Sequence, residues 1–324
     1  MKILVTGGAG YIGSVCTDSL IARGDKVIVF DNLSEGNWKA VHPEAVFING
    51  DLNVRTSIVS ALKEAQPDAV VHFAANALVG ESMENPYKYF RNNVGGTLNL
   101  LEAMKNHGVK RLVFSSTCAT FGIPDVEVIE ETTLQGPINP YGESKLMVER
   151  MLRWYSEIFG LTFASLRYFN VAGATERLGE VRRVETHLIP RILQAALGKA
   201  PAAEIYGTDF PTPDGTCIRD YIHVQDLVDA HLLALNIEKS AFFNLGTETG
   251  TSVREVIGTA CAVTGRQIPA IEKPRRAGDP AKLVASSRKA REMLGWKPRY
   301  GIRETVESAW KWLLGHPQGY ARLS

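Results

Sequence analysis

Thr6-Gly7-Gly8-Ala9-Gly10-Tyr11-Ile12-Gly13 decides the fold. The apolar run from Lys2 to Thr6 leads into it and reads as a strand buried on both faces. After the glycines a helical pattern runs through Val15, Leu20 and Ile21 to Arg23-Gly24. Val27 to Phe30 is a second buried run, and Asp31 stands at its end. The order is strand, glycine turn, helix, strand, acidic residue. Glycines tighten such a turn and let backbone N–H groups approach a pyrophosphate, which the positive helix N-terminus favours. Asp31 is placed to bond a ribose 2′-hydroxyl, and its charge would repel a 2′-phosphate. The stretch predicts a dinucleotide site that prefers NAD to NADP.

The alternation continues outward. Val46 to Ile48, Ala69 to Phe73, Leu112 to Phe114 and Phe163 to Leu166 read as strands. Helices are expected over 54–65, over about 84–107 and after Pro140. Strands alternating with helices predict an α/β protein with a Rossmann-type, doubly wound parallel sheet. Ligands of such sheets sit beyond the carboxyl ends of the strands. There the sequence places Asp51-Leu52, Phe73-Ala74-Ala75, Ser115-Ser116-Thr117 and Phe169-Asn170. After Asn170 the pattern loosens. Residues 171–187 read as polar loop, with helices near 188–198, 224–238, 252–264, 286–294 and 302–313 and a short strand around 204–206. The expected division is 1–170, an NAD-binding domain, and 171–324, mainly a smaller mixed α/β substrate lobe. No linker separates them, so they are expected to pack closely.

Asn139-Pro140-Tyr141-Gly142-Glu143-Ser144-Lys145 opens one of these helices. Proline suits a first helical turn because its missing N–H would be unpaired there. Tyr141 and Lys145 are i and i+4, neighbours on one face. A free phenol, with a pKa near 10, is a poor base at neutral pH, and a nearby ammonium lowers that value. An ordinary amphipathic helix gives the same spacing, so the pair alone decides nothing.

Composition excludes several classes. A net charge of +1 over 324 residues gives no electrostatic reason to expect nucleic acid or an anionic membrane. No stretch approaches the apolar length of a transmembrane helix. Met1-Lys2-Ile3-Leu4-Val5-Thr6 runs straight into the glycine loop, so no cleavable signal peptide is expected. Cys16, Cys118, Cys217 and Cys261 are widely spaced, which reads as reduced thiols in a cytoplasmic protein. The histidines show no metal-ligand spacing, and no metal is expected.

Taken together, Thr6 to Gly13, Asp31-Asn32-Leu33-Ser34, Ser115-Ser116-Thr117, Tyr141 to Lys145, Leu166-Arg167-Tyr168-Phe169-Asn170 and Gly215-Thr216-Cys217-Ile218-Arg219-Asp220-Tyr221-Ile222-His223 resemble the extended short-chain dehydrogenase/reductase family. Within it the chain is similar to enzymes that epimerise nucleotide sugars, and the similarity runs over essentially the whole length. The resemblance implies NAD-dependent 4-epimerisation of a UDP-hexose (UDP-glucose/UDP-galactose). C4 is oxidised transiently, the 4-keto sugar rotates, and the hydride returns. It implies Tyr141 as base, Lys145 as the group that holds the nicotinamide ribose and lowers the phenol pKa, and Thr117 as proton relay. NAD would lie along Gly7, Gly10, Tyr11, Ile12, Gly13, Asp31, Asn32, Leu33, Ser34, Asp51, Leu52, Phe73, Ala74, Ala75 and Asn92, with Tyr141, Lys145 and Phe169 at its nicotinamide end. The UDP-sugar would meet Thr117, Tyr141, Asn170, His187, Leu188, Tyr206, Arg219, Arg276, Asp279 and Leu283. A homodimer is the family expectation.

Three positions depart from patterns found in parts of the family. Ala77 stands for a lysine, His187 for an asparagine, and Leu283 for a bulky tyrosine beside the sugar 2-position. The last leaves UDP-N-acetylhexosamine open as a substrate, and the sequence does not settle hexose against pentose. A 4,6-dehydratase needs an acidic pair after Thr117, where Cys118-Ala119-Thr120 stands instead. A non-catalytic NAD-binding regulator on this fold predicts a damaged Tyr, Lys and hydroxyl set, and all three are present.

Overall fold

The computed structural model describes residues 1–276 and 278–320. In chain order the first part forms β1 (Lys2–Thr6), α1 (Tyr11–Ala22), β2 (Lys26–Asp31), β3 (Val46–Asn49), α2 (Arg55–Ala65), β4 (Ala69–His72), α3 (Val79–Glu84), α4 (Pro86–Tyr89), α5 (Gly96–Asn106), β5 (Arg111–Thr117), α6 (Pro140–Phe159) and β6 (Thr162–Tyr168). The rest forms β7 (Asn170–Ala172), α7 (Leu188–Ala196), β8 (Ala203–Tyr206), β9 (Ile218–His223), α8 (Val224–Ala234), β10 (Ala241–Leu245), β11 (Gly250–Ser252), α9 (Val253–Thr264), β12 (Ala270–Lys273), β13 (Lys282–Leu283), α10 (Arg288–Leu294) and α11 (Ile302–Gly315).

The main sheet has seven parallel strands in the order β10-β6-β5-β4-β1-β2-β3. Ile3, Leu4 and Val5 are buried on both faces, as are Val70, Val71 and Val113. One apolar cluster joins the sheet to α1 and α8, and a second joins it to α2, α5 and α6. The strand order reverses between β1 and β4, which opens a crevice at their carboxyl ends. A third cluster, with Ile192, Phe210, Tyr221 and Trp310, fills the smaller lobe around β9.

Local chemistry explains α6. Pro140 occupies its first turn, the Asn139 side chain accepts the Gly142 N–H at 2.8 Å, and Gly160 ends it at a φ of +68°.

Three expectations are corrected. The helix over 84–107 is interrupted. Pro86 disfavours helical backbone at Asn85, whose side chain instead caps α4, and Phe90–Gly95 forms a π-helical turn before α5. The segment after Asn170 is not all loop, because Asn170–Ala172 pairs with β9. Finally, residues beyond 170 return to the main sheet. Strand β10 pairs with β6, and α8 packs on α1. Ala241-Phe242-Phe243-Asn244-Leu245 is too short a run for periodicity to separate strand from helix.

Candidate active site

The glycine turn is built for close backbone approach. Gly7 has a φ of +73°, and a Cβ there would lie 2.6 Å from the backbone nitrogen of Ala74. A Cβ on Gly13 would run into the Gly7 carbonyl. Gly10 begins α1 without a side-chain cap, and no acidic residue stands in the first turn. The positive helix end is therefore open to an anion. The Tyr11 hydroxyl turns away to donate to the Gly173 carbonyl, and Ile12 packs against the core.

Asp31, buried at the end of β2, accepts the Ala9 N–H at 3.0 Å and the Leu33 N–H at 2.8 Å. Burial raises its pKa, and those two bonds oppose the rise. Leu33 sits at a φ of +57°, unusual for a side chain of its size, with the Ser34 N–H bonded to Asn32. Asn32 donates to Asp51 at 3.2 Å, and Asp51 also accepts from Asn53. Asn53 bonds Asn92, Asn92 bonds Asn93, and Asn93 bonds Ser144 on α6. A polar chain thus links the Asp51 strand end to the helix carrying Tyr141. Phe73 and Ala74 both donate backbone N–H groups to the Thr6 carbonyl, and Ala75 follows them. Leu52 differs from its polar neighbour: its side chain belongs to the core beneath α5.

These residues fit a dinucleotide. Uncapped helix N–H groups face a pyrophosphate position, and Asp31 keeps unused lone pairs for a ribose hydroxyl.

The reactive groups meet at the end of β5. The Thr117 hydroxyl accepts the Ala119 N–H at 3.2 Å and is close enough to the Tyr141 phenol to influence its titration. Burial pushes that phenol up to about 12, the Thr117 hydroxyl opposing it and Arg182 pulling the same way as Thr117. Lys145 is not among the groups that shift the Tyr141 phenol. The Lys145 ammonium reaches back to the Ser115 carbonyl at 2.8 Å and lies over the Phe114 ring. Burial pushes it down to about 7, and the Glu149 carboxylate resists that shift. Among the protein's own groups, burial rather than the ammonium governs Tyr141.

Strand β9 gathers the substrate candidates. Asn170 lies opposite Tyr221 in its register, and Leu283 lies opposite Arg219. Arg219 is ion-paired with Asp279. Arg276 lies 3.8 Å over the Tyr206 ring, while the Tyr206 hydroxyl donates to Glu204. Ala277 of that stretch lies outside the described residues. Phe169 packs with Phe121, Ile129 and Ala285, and Cys118 and Leu283 lie against this cluster. Leu283 therefore joins Phe169 beside the residue that follows Thr117. Leu188 begins α7, preceded by His187. The His187 ring bonds Glu180 at 2.6 Å, and Arg182 bonds the same carboxylate oxygen at 2.7 Å. Glu180, Glu185 and His187 bring ligand-type atoms within 4.8 Å of one another, a grouping hidden from metal-motif spacing. Sequence reasoning also missed Asn93, Arg182 and Glu149, for none belongs to a spaced motif.

A model of the NAD dependent epimerase/dehydratase family matches residues 3–246. The chain belongs to that family. A UDP-glucose 4-epimerase of Lacticaseibacillus casei is 50% identical over 99% of both chains. The solved UDP-glucose 4-epimerase of Brucella ovis in complex with NAD shares 46% identity at a TM-score of 0.92, covering 95% of this chain and 97% of its own. That of Bifidobacterium longum, in complex with NAD+ and UDP, shares 37% identity at a TM-score of 0.94, covering 99% of this chain and 100% of its own. The family match ends just past β10, so it spans every strand of the main sheet.

Proposed function

We propose that the protein is an NAD-dependent isomerase that interconverts UDP-glucose and UDP-galactose. The observation that carries this reading is the meeting of Tyr141, Thr117 and buried Lys145 at the carboxyl end of β5, in the same parallel sheet whose β1 leads into the open N-terminus of α1. Relatives named UDP-glucose 4-epimerase, some solved with NAD or UDP, support it.

Each residue has a stated task. Tyr141 takes the proton of the sugar 4-hydroxyl and later returns it, with the Thr117 hydroxyl relaying. Lys145 holds the nicotinamide ribose. Arg219 and Arg276 hold the diphosphate, since a planar guanidinium binds oxygen pairs in bidentate fashion. Gly7, Gly10 and Gly13 admit the pyrophosphate, and Asp31 takes the adenosine ribose. NAD+ held there would supply the hydride acceptor and donor for C4. Anchoring at the nucleotide leaves the hexose free to turn its other face. That keeps binding energy apart from the reacting carbon. Residues 1–170 serve NAD, and 171–324 serve mainly the sugar nucleotide. Purified protein given UDP-galactose should yield UDP-glucose without net oxidation. A 6-deoxy-4-keto product would identify a dehydratase instead.

Leu283 sets the sugar 2-position in this reading, supported by its place against Phe169 and Cys118. Overpacking costs about 1–3 kcal/mol, so Leu283→Tyr should cut activity on UDP-N-acetylgalactosamine about tenfold or more while sparing UDP-galactose. Equal losses on both sugars would place the gate elsewhere.

We also propose a cytoplasmic homodimer. Its support is an exposed apolar row on α6, Met147, Trp154 and Ile158, with Leu98 on α5. Light scattering should give twice the chain mass, and Trp154→Glu should give monomer. A monomeric parent refutes the dimer. No helix among the described residues is long and apolar enough to cross a membrane.

A further inference from the structure

Asp220 is fully buried in β9, and nothing in the chemistry above uses it. Successive side chains of a strand point to opposite faces, so Asp220 faces away from Arg219. One carboxylate oxygen accepts both the backbone N–H and the hydroxyl of Thr247, each at 2.7 Å. The other accepts the N–H of Glu248 at 3.1 Å and that of Ala285 at 3.2 Å. Thr247 and Glu248 follow β10, the edge strand of the main sheet. Ala285 follows β13, which carries Leu283. One carboxylate therefore joins the central strand of the small lobe, the edge of the main sheet and the segment bearing two substrate candidates.

The surroundings are shaped to this junction. A Cβ on Gly246 would run into the Asp220 carboxylate, so the turn after β10 has no side chain there. Glu248 sits at a φ of +62°, a left-handed conformation that costs a glutamate energy. Three bonds keep it in place: its N–H to Asp220, and its carboxylate to the Ser287 N–H and to Arg291, both at 2.7 Å. Burial raises the Asp220 pKa against the pull of its four hydrogen bonds.

We propose that Asp220 is a positioning residue for the nucleotide sugar. It fixes the register in which β13 sets Leu283 opposite Arg219 and brings Asp279 to that guanidinium. The proposal rests on the UDP-sugar reading above. The glycine turn, Asp31 and the Thr117–Tyr141 pair hang on β1, β2 and β5 and do not depend on it.

The test compares Asp220→Asn with the milder Thr247→Val, which keeps the carboxylate and its three backbone bonds. Steady-state rates on UDP-galactose are combined with calorimetry of UDP and of NAD. An unsatisfied buried donor is costly, so Asp220→Asn should raise KM and the UDP Kd about tenfold or more, with kcat and NAD affinity changed by less than about threefold. Thr247→Val should move KM in the same direction by less. If Asp220→Asn fails to fold, Thr247→Val carries the test. Unchanged KM and UDP affinity would overturn the proposal, as would a fall in NAD affinity that matches the fall in UDP affinity. Failure of the underlying reading looks different: the parent itself would neither bind UDP nor turn over UDP-galactose.

Discussion

Tyr141→Phe lowers kcat by about 10²–10⁴-fold, the usual worth of a positioned general base, while NAD and UDP affinities stay within a few-fold. The ring keeps its place against Tyr89, 6.4 Å away between centroids, so the half-buried slot stays filled. Only the hydroxyl near Thr117 is lost. Burial pushes the phenol up to about 12, and the positive charge of a bound nicotinamide would counter that rise. Single-turnover rates with saturating UDP-galactose check this, and a variant within a few-fold of the parent contradicts it.

Arg167→Met destabilises the fold by about 3–5 kcal/mol, because it leaves the Glu149 carboxylate buried without its counter-charge. Both side chains are 1% exposed. Arg167 bonds one Glu149 oxygen at 2.8 Å and the other at 2.7 Å, and Ser116, Ser165 and Gln135 donate to the same carboxylate. Burial alone would raise the Glu149 pKa, but Arg167 and the other donors outweigh it and hold it low. A carboxyl with a depressed folded pKa contributes stability above its unfolded pKa, about 4.3, and loses it as pH falls through the folded value. The parent should weaken on acidification through that window. Arg167→Met should weaken less or gain, since its stranded carboxylate then takes up a proton. Urea unfolding at neutral pH and near pH 4 reads both effects, and parallel curves would contradict the pair's role.

The cofactor half was legible because its signals are local. The Gly7–Gly13 turn and Asp31 lie on consecutive elements, and α6 announces itself through Asn139, Pro140 and Gly160. Spacing fixed the face that Tyr141 and Lys145 share, but not where the lysine ends. Its ammonium goes to the Ser115 carbonyl, a contact that depends on how β5 packs under α6. Asn93 meets Ser144 and Asp220 meets Ala285 across long stretches of chain, so no periodicity marks them. Leu52 follows Asp51 directly, and the burial of its side chain in the core is not visible from that neighbour. Strand β10 returns to the sheet only because β6 leaves an edge for it, a tertiary fact that a short apolar run does not reveal.

UDP-galactose carrying deuterium at C4 tests the central claim most directly. Incubated with the purified enzyme and no added reductant, it should become UDP-glucose with the deuterium still at C4. The proton that Tyr141 handles comes from oxygen and exchanges with water, whereas the hydride does not. UDP-glucose with the label lost to solvent, or no epimer at all, would contradict the account.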